Sequence, residues 1–124
     1  MLRAFDLYGS SDLDLPRIRD LVAKVAGVVF ASHFSEYSGS YYLGAGPSLE
    51  SVRISLNEME DEDGSFFGEP DYPQYLTVVH ITCSGTEPVR FLDDLRGKLE
   101  GTDDGLVFLQ RKISTARGRG GADR

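Results

Sequence analysis

LRAFDLYGSSDLDLPRIRDLVAKVAGVVF, residues 2–30, reads as strand, turn, helix and strand, and each transition has a local cause. Leu2–Tyr8 is the strand, ended by Gly9-Ser10-Ser11. A helix is predicted from about Asp14 to Ala26. Asp14 serves as N-cap, Pro16 falls in the first turn where its missing N–H costs nothing, and Gly27 closes the C-terminus. Leu15, Ile18, Leu21, Val22 and Val25 recur at helical spacing and make one buried face. Arg17, Arg19, Asp20 and Lys24 fill the solvated remainder. Gly27-Val28-Val29-Phe30 then opens the next strand.

The same order returns in YLTVVHITCSGTEPVRFLDDLRGKLEGTDDGLVF, residues 75–108. Tyr75–Cys83 is apolar or small on both faces, the pattern of a central strand covered on both sides. Ser84-Gly85 turns the chain. A helix from about Thr86 to Leu99 follows, with Thr86 as N-cap, Pro88 in the first turn and Gly101 as terminator. Val89, Leu92, Leu95 and Leu99 form its buried stripe, and Gly97 weakens it by up to ~1 kcal/mol. Gly105-Leu106-Val107-Phe108 opens the last strand, Leu106–Ile113. Two strand–helix–strand units imply an α+β two-layer sandwich, ferredoxin-like or related. Its sheet is mainly antiparallel, of about five to six strands, with two helices on one face. The domain spans 1–113, and 114–124 is a disordered Arg/Gly-rich tail.

Between the two units, Val28–Tyr37 and Ser40–Leu43 form a hairpin around Ser38-Gly39. Gly44-Ala45-Gly46-Pro47 breaks the pairing. Val52–Leu56 alternates cleanly, with Val52, Ile54 and Leu56 inward.

The 124 residues suffice for one core without a staple. A single cysteine, Cys83, forms no internal disulfide, and on a doubly covered strand it is a small buried hydrophobe. The N-terminus meets acidic residues before any long apolar run, so the expected location is the cytoplasm, with no membrane span. The net charge is −7, and the last eleven residues carry three arginines against one aspartate, which leaves the body near −9. Such a body repels nucleic acid and favours cationic partners, although acidity for solubility alone is equally ordinary.

Catalytic and cofactor motifs fail one by one. Gly44-Ala45-Gly46 has Leu49 where a dinucleotide fingerprint needs glycine, and it precedes a strand. No Gly-Lys-Ser/Thr marks a phosphate loop. Asp61-Glu62-Asp63-Gly64 resembles part of a calcium loop, but its first and twelfth positions would be Met59 and Pro70. His80 and Cys83 are three apart on a strand and face opposite ways, so they make no base–nucleophile pair. His80 reads as a satisfied core histidine. His33, Ser35 and Tyr37 share a face with no aspartate placed to orient the imidazole. The expectation is no enzyme, no cofactor and no metal.

What remains is NEMEDEDGSFFGEPDYPQY, residues 57–75. Seven carboxylates and no basic residue lie between Glu58 and Asp71, with Phe66 and Phe67 adjacent in the middle. Glycines at 64 and 68 and prolines at 70 and 73 predict an irregular loop. Adjacent phenylalanines cannot both enter the core from one regular strand. One reading is a solvated acidic loop anchored by its aromatics. The other is a recognition patch for a basic protein, made of Glu58, Glu60, Asp61, Glu62, Asp63, Phe66, Phe67, Glu69, Asp71 and Tyr72. Tyr37, Tyr41, Tyr42, Tyr72 and Tyr75 add amphipathic contact residues in the same half of the chain.

The hairpin Phe34-Ser35-Glu36-Tyr37-Ser38-Gly39-Ser40-Tyr41-Tyr42, with Asn57 and the acidic stretch ending Glu69-Pro70-Asp71-Tyr72-Pro73, resembles small acidic immunity proteins of bacterial polymorphic-toxin and contact-dependent inhibition systems. The resemblance implies a compact cytoplasmic α/β domain without catalysis that blocks a cognate toxin, often a basic nuclease. It transfers no individual residue role. The alternative is a small ligand-binding regulatory or enzymatic domain, with a pocket between the sheet and the 57–75 loop using His33, Glu36 and the tyrosines. RNA binding through Arg117 and Arg119 is disfavoured by the acidic body.

Overall fold

A computed structural model describes residues 2–11, 14–36, 39–101 and 106–115. The chain runs β1 (Leu2–Ser10), α1 (Leu15–Ala26), β2 (Val29–Ser35), β3 (Gly39–Ala45), β4 (Ser51–Leu56), β5 (Glu58–Asp61), β6 (Gly64–Phe67), β7 (Thr77–Gly85), α2 (Pro88–Glu100) and β8 (Val107–Thr115). Six strands form one antiparallel sheet in the order β2-β3-β4-β7-β1-β8, and β5 and β6 make a separate hairpin. Because β1 is antiparallel to both β7 and β8, those two run parallel on either side of it, joined by α2. That is the split β–α–β unit of the ferredoxin-like motif. The first unit differs, since β1 and β2 are separated by β7, β4 and β3.

Both helices lie on one face, where they touch each other. Asp14 caps α1, its carboxylate accepting from the Arg17 N–H, and Gly27 ends it in the left-handed region at φ 68°. At α2 the cap is Glu87, without a side-chain cap bond, rather than Thr86. Pro88 occupies the first helical position, its favoured place, and this sets the cap at the residue before it. Ile18 and Val22 of α1 and Leu92, Leu95 and Leu99 of α2 pack on Ala4, Tyr8, Val52, Ile54, Val79, Ile81 and Cys83. Burying the three leucines of α2 contributes roughly 5–9 kcal/mol, well above the cost of Gly97 within the helix.

Within this apolar layer sits one ion pair. Asp6 of β1 is buried, and Arg111 of β8 donates to both its oxygens, Nε at 2.6 Å and Nη2 at 2.8 Å. Arg111 also reaches Asp93 of α2 at 2.7 Å, so one guanidinium ties the edge strand to the strand and helix beside it.

On the opposite face, Leu7, Ser55 and Val78 are buried although no helix covers them. The cover is residues 57–76. The Tyr75 ring lies against the backbone of Gly9, so closely that a Cβ there would come 2.5 Å from the ring. Tyr72 hydroxyl reaches the Leu109 carbonyl at 3.4 Å and Gln110 Oε1 at 3.3 Å, which binds the cover to β8. β7 is thereby the doubly covered central strand that its sequence predicted.

Several boundaries differ from expectation. β7 runs Thr77–Gly85 and β2 stops at Ser35. Gly44 and Ala45 do not break the pairing but continue it opposite Phe30 and Val29, Gly44 sitting where a Cβ would come 2.6 Å from the Val29 carbonyl oxygen. β1 continues through Gly9 and Ser10, which pair with Val78 and Thr77. β8 continues to Ser114 and Thr115, opposite Arg3 and Leu2, because β1 offers partners that far. Residues 116–124 of the expected tail, and Tyr37 and Ser38 of the expected hairpin, lie outside the described residues. The segment after β4 is no irregular loop but begins with the β5–β6 hairpin, paired from Glu58↔Phe67 to Asp61↔Gly64. Its turn closes on Asp61 Oδ1, which accepts from the Asp63 N–H at 2.8 Å. An aspartate bonding the backbone two residues on makes a turn from residues that looked like a calcium loop.

Candidate acidic recognition site

Asn57 is where the cover is fastened. It is fully buried between β4 and β5. Its Nδ2 donates to the carbonyls of Tyr72 and Tyr75, both at 2.9 Å, and its Oδ1 accepts from the Glu69 N–H at 2.8 Å. The Asn57 N–H reaches the Leu76 carbonyl, and the Asn57 carbonyl accepts from Gly68. One neutral side chain at the start of the excursion therefore satisfies three backbone groups on its return, at Glu69, Tyr72 and Tyr75.

The β5–β6 hairpin projects beyond this knot. Glu60, Asp61, Glu62 and Asp63 meet Glu36, just past β2, around an open cleft of about 570 Å³. β3 starts beside the end of β4, so the β2–β3 and β5–β6 turns fall at the same end of the sheet. Among the described residues, no lysine or arginine pairs with these five carboxylates. The arginines pair elsewhere: Arg3 with Glu50, Arg19 with Asp20, Arg96 with Glu100, and Arg111 with Asp6 and Asp93. A cluster of acceptors without counter-ions attracts lysine or arginine and adds to long-range steering.

Phe66 stands opposite Met59 and Phe67 opposite Glu58, so the two rings leave opposite faces of the hairpin. They are 40% and 38% exposed, neither core nor fully free. Glu58 and Asp71 are exposed. Glu69 and Tyr72 turn inward instead. Glu69 Oε2 lies 2.8 Å from His80 Nε2 on β7, and Tyr72 binds β8 as described. The ten patch residues therefore divide into seven on the hairpin, a pair, Glu69 and Tyr72, that holds the cover to the sheet, and Asp71, which is exposed between that pair. Glu36 is the member that the 57–75 segment alone could not reveal.

Several other expectations resolve into separate places. The core reading of His80 needs correction: its ring is partly exposed at the margin of the cover, with Glu69 as partner. Cys83 lies in the helix-side core, Sγ donating to the Ser48 carbonyl at 3.3 Å, and burial pushes its thiol pKa up. His33 stacks on Tyr41, ring centroids 5.4 Å apart, on the uncovered part of the sheet, where Arg53 lies 4.0 Å over the same ring. Tyr42 is on the helix side under Arg19, while Tyr72 and Tyr75 belong to the cover. The described tyrosines of that set, Tyr41, Tyr42, Tyr72 and Tyr75, thus do not converge, and Glu36 and His33 serve different surroundings. Beneath the cover a cleft of about 270 Å³ is lined by Phe5, Leu7, Glu69, His80, Gln110 and Lys112.

Among the described residues, no three His, Cys, Asp or Glu side chains are grouped to hold a metal ion, and no helix is long and apolar enough to cross a membrane. The chain matches no model of a known protein family, and no curated protein matches it in sequence.

Proposed function

We propose that this domain is a non-catalytic binding protein of immunity type, which neutralises a basic protein partner, a toxin domain such as a nuclease, through the acidic end of the molecule. The observation that carries the reading is the cleft of Glu36, Glu60, Asp61, Glu62 and Asp63, without a basic partner among the described residues, beside half-exposed Phe66 and Phe67. Carboxylates steer a cationic surface into encounter, and aromatics that become desolvated on contact slow its release. A hairpin held at its base by Asn57 presents both without drawing on the sheet's own core.

The test uses the immobilised full chain against a lysate of its own cells, in three forms: wild type, the quadruple neutral variant of Glu60, Asp61, Glu62 and Asp63, and Phe66→Ala/Phe67→Ala. Wild type should retain a basic protein whose activity or toxicity it abolishes at equimolar ratio. The neutral variant should associate more slowly, and the wild-type rate should fall steeply with salt. The double alanine variant should dissociate faster, by about thirtyfold for each anchoring ring. Retention indifferent to both sets of substitutions overturns the reading.

A further inference from the structure

The sheet has two edges, β2 and β8, and they are built differently. β8 carries Arg111 and Lys112, and its register with β1 slips between Leu7 and Tyr8, where a bulge skips Leu109. Charges and bulges are the devices by which a sheet edge refuses another strand. β2, Val29-Phe30-Ala31-Ser32-His33-Phe34-Ser35, has none of them. It contains no lysine, arginine, carboxylate, proline or glycine, and it pairs with β3 without interruption from Val29↔Ala45 to Ser35↔Gly39. It also bears the two most exposed large apolar side chains among the described residues, Val29 at 81% and Phe34 at 75%.

We propose that β2 pairs antiparallel with β2 of a second copy of this chain, about a two-fold axis through Ser32, to make one continuous sheet across a dimer. The strand itself favours a second copy as the occupant. Around Ser32 the sequence is self-complementary, so Phe34 of each copy stands opposite Phe30 of the other, and His33 opposite Ala31. Pairing about a residue keeps each side chain on its own face of the sheet. Phe30 already packs against the helix-side core, and Phe34 would extend that layer across the junction. Both aromatic pairs repeat by symmetry, as an isologous interface requires.

Electrostatics permit the pairing despite a chain charge of −7. The strand is free of fixed charge. On the helix side Asp20 is paired with Arg19, which lies over Tyr42 opposite Ser32. Along the strand the nearest carboxylate, Glu36, lies four residues from the axis, so its two copies sit roughly 26 Å apart. That is about three Debye lengths at physiological salt. The two acidic clefts point to opposite ends of the dimer and remain open, and the pairing does not depend on what fills them.

The experiment measures the mass of the full chain in solution by sedimentation velocity, from micromolar to submillimolar concentration, for wild type and Phe34→Lys. Phe34 makes no buried packing in the single copy, so the lysine variant keeps its fold, which thermal melting verifies. Wild type should be a dimer. Phe34→Lys should raise the dissociation constant on the order of a hundredfold, since every dimer loses two anchoring rings and gains two lysines at the junction. Register is read by cross-linking. Ser32→Cys places like residues directly opposite at about 4.5–5.5 Å between Cα atoms, within disulfide reach, whereas Ser35→Cys places them roughly 20 Å apart. Rapid disulfide formation at 32 and none at 35, with Cys83 buried and silent, supports the proposal. A wild-type chain that is monomeric throughout, including one that accepts a strand from a different protein at β2, overturns it. So does a dimer indifferent to Phe34→Lys, or one that cross-links as fast through position 35.

Discussion

Replacing Asn57 by alanine removes three side-chain hydrogen bonds of 2.8–2.9 Å from a fully buried position and leaves the carbonyls of Tyr72 and Tyr75 and the N–H of Glu69 without their partner. A typical intramolecular hydrogen bond contributes about 1 kcal/mol net, and more when its loss strands a buried group. The expected destabilisation is therefore about 3 kcal/mol. With an unfolding entropy of about 2.1 cal/mol/K per residue over this chain, that lowers the melting temperature by roughly 12 °C. Urea titration gives the free energy directly, and amide exchange locates the change. Gly68, whose N–H bonds the Asn57 carbonyl, should lose protection before the β1–β7 ladder does.

Asn57→Asp distinguishes the hydrogen bonds from mere filling of space. It keeps the acceptor for Glu69 but sets a carboxylate oxygen against two carbonyl oxygens in a buried site. Burial and those carbonyls raise the folded-state pKa of the new aspartate above its unfolded value of about 3.9. Its stability deficit therefore grows as pH rises through that value and shrinks on acidification, when the carboxyl can donate to one carbonyl. An alanine variant that costs less than about 1 kcal/mol would show that the cover is held by its aromatics and not by Asn57.

Two further outcomes follow from the helix side of the sheet. Arg111→Met should cost about 3–5 kcal/mol by stranding buried Asp6, while the double variant Asp6→Leu/Arg111→Met should recover most of it, as measured by chemical denaturation. On the alkaline side, burial raises the Cys83 thiol and the Tyr8 hydroxyl above their ordinary values, so both hold their protons more tightly when folded. Stability from these groups is present in full below about pH 8.5 and declines as pH rises first past the unfolded cysteine and then past the unfolded tyrosine near 10. A stability profile flat from pH 8 to 11 would contradict this.

The parts of this fold that the sequence announces are those set by short-range chemistry. Asp14, Pro16 and Gly27 punctuate α1, and the leucine stripe defines α2. The two-sided apolar run 75–83 reveals β7 as a covered strand, although it does not show that the second cover is the chain's own 57–76 segment. That fact depends on Tyr75 meeting Gly9 and on Asn57 meeting Tyr72 and Glu69, contacts between residues far apart along the chain. Glycine 9 could be read as a turn residue, and it is instead a strand residue kept small by a ring. The β5–β6 hairpin was hidden for a different reason: glycines, prolines and a dense charge run mask the pairing, and Asp61 closes the turn only once that pairing exists. Glu36 joined the acidic group through sheet order alone.

The division of charge in the molecule follows from these placements. On the helix side and along the sheet, Arg3, Arg19, Arg96 and Arg111 meet carboxylates, and the buried one, Asp6, has a bidentate partner. At the hairpin end the excess acid has collected without a lysine or arginine partner among the described residues, and the element that carries it is fastened by a neutral amide. A tether made of ion pairs would have placed lysines or arginines beside the cleft and cancelled its field. Asn57 avoids this, because its bonds go to backbone groups and carry no net charge. The consequence is a separation of duties that mutation can expose. Glu→Gln and Asp→Asn changes at 60–63, which keep the Asp61 oxygen that closes the turn, should leave the melt almost unchanged, as exposed carboxylates without ion-pair partners contribute little to folding, whereas substitution at 57 should be felt throughout the cover. Stability that fell markedly on neutralising Glu60, Asp61, Glu62 and Asp63 would mean that the acidic end holds the fold together and is not free to meet a partner.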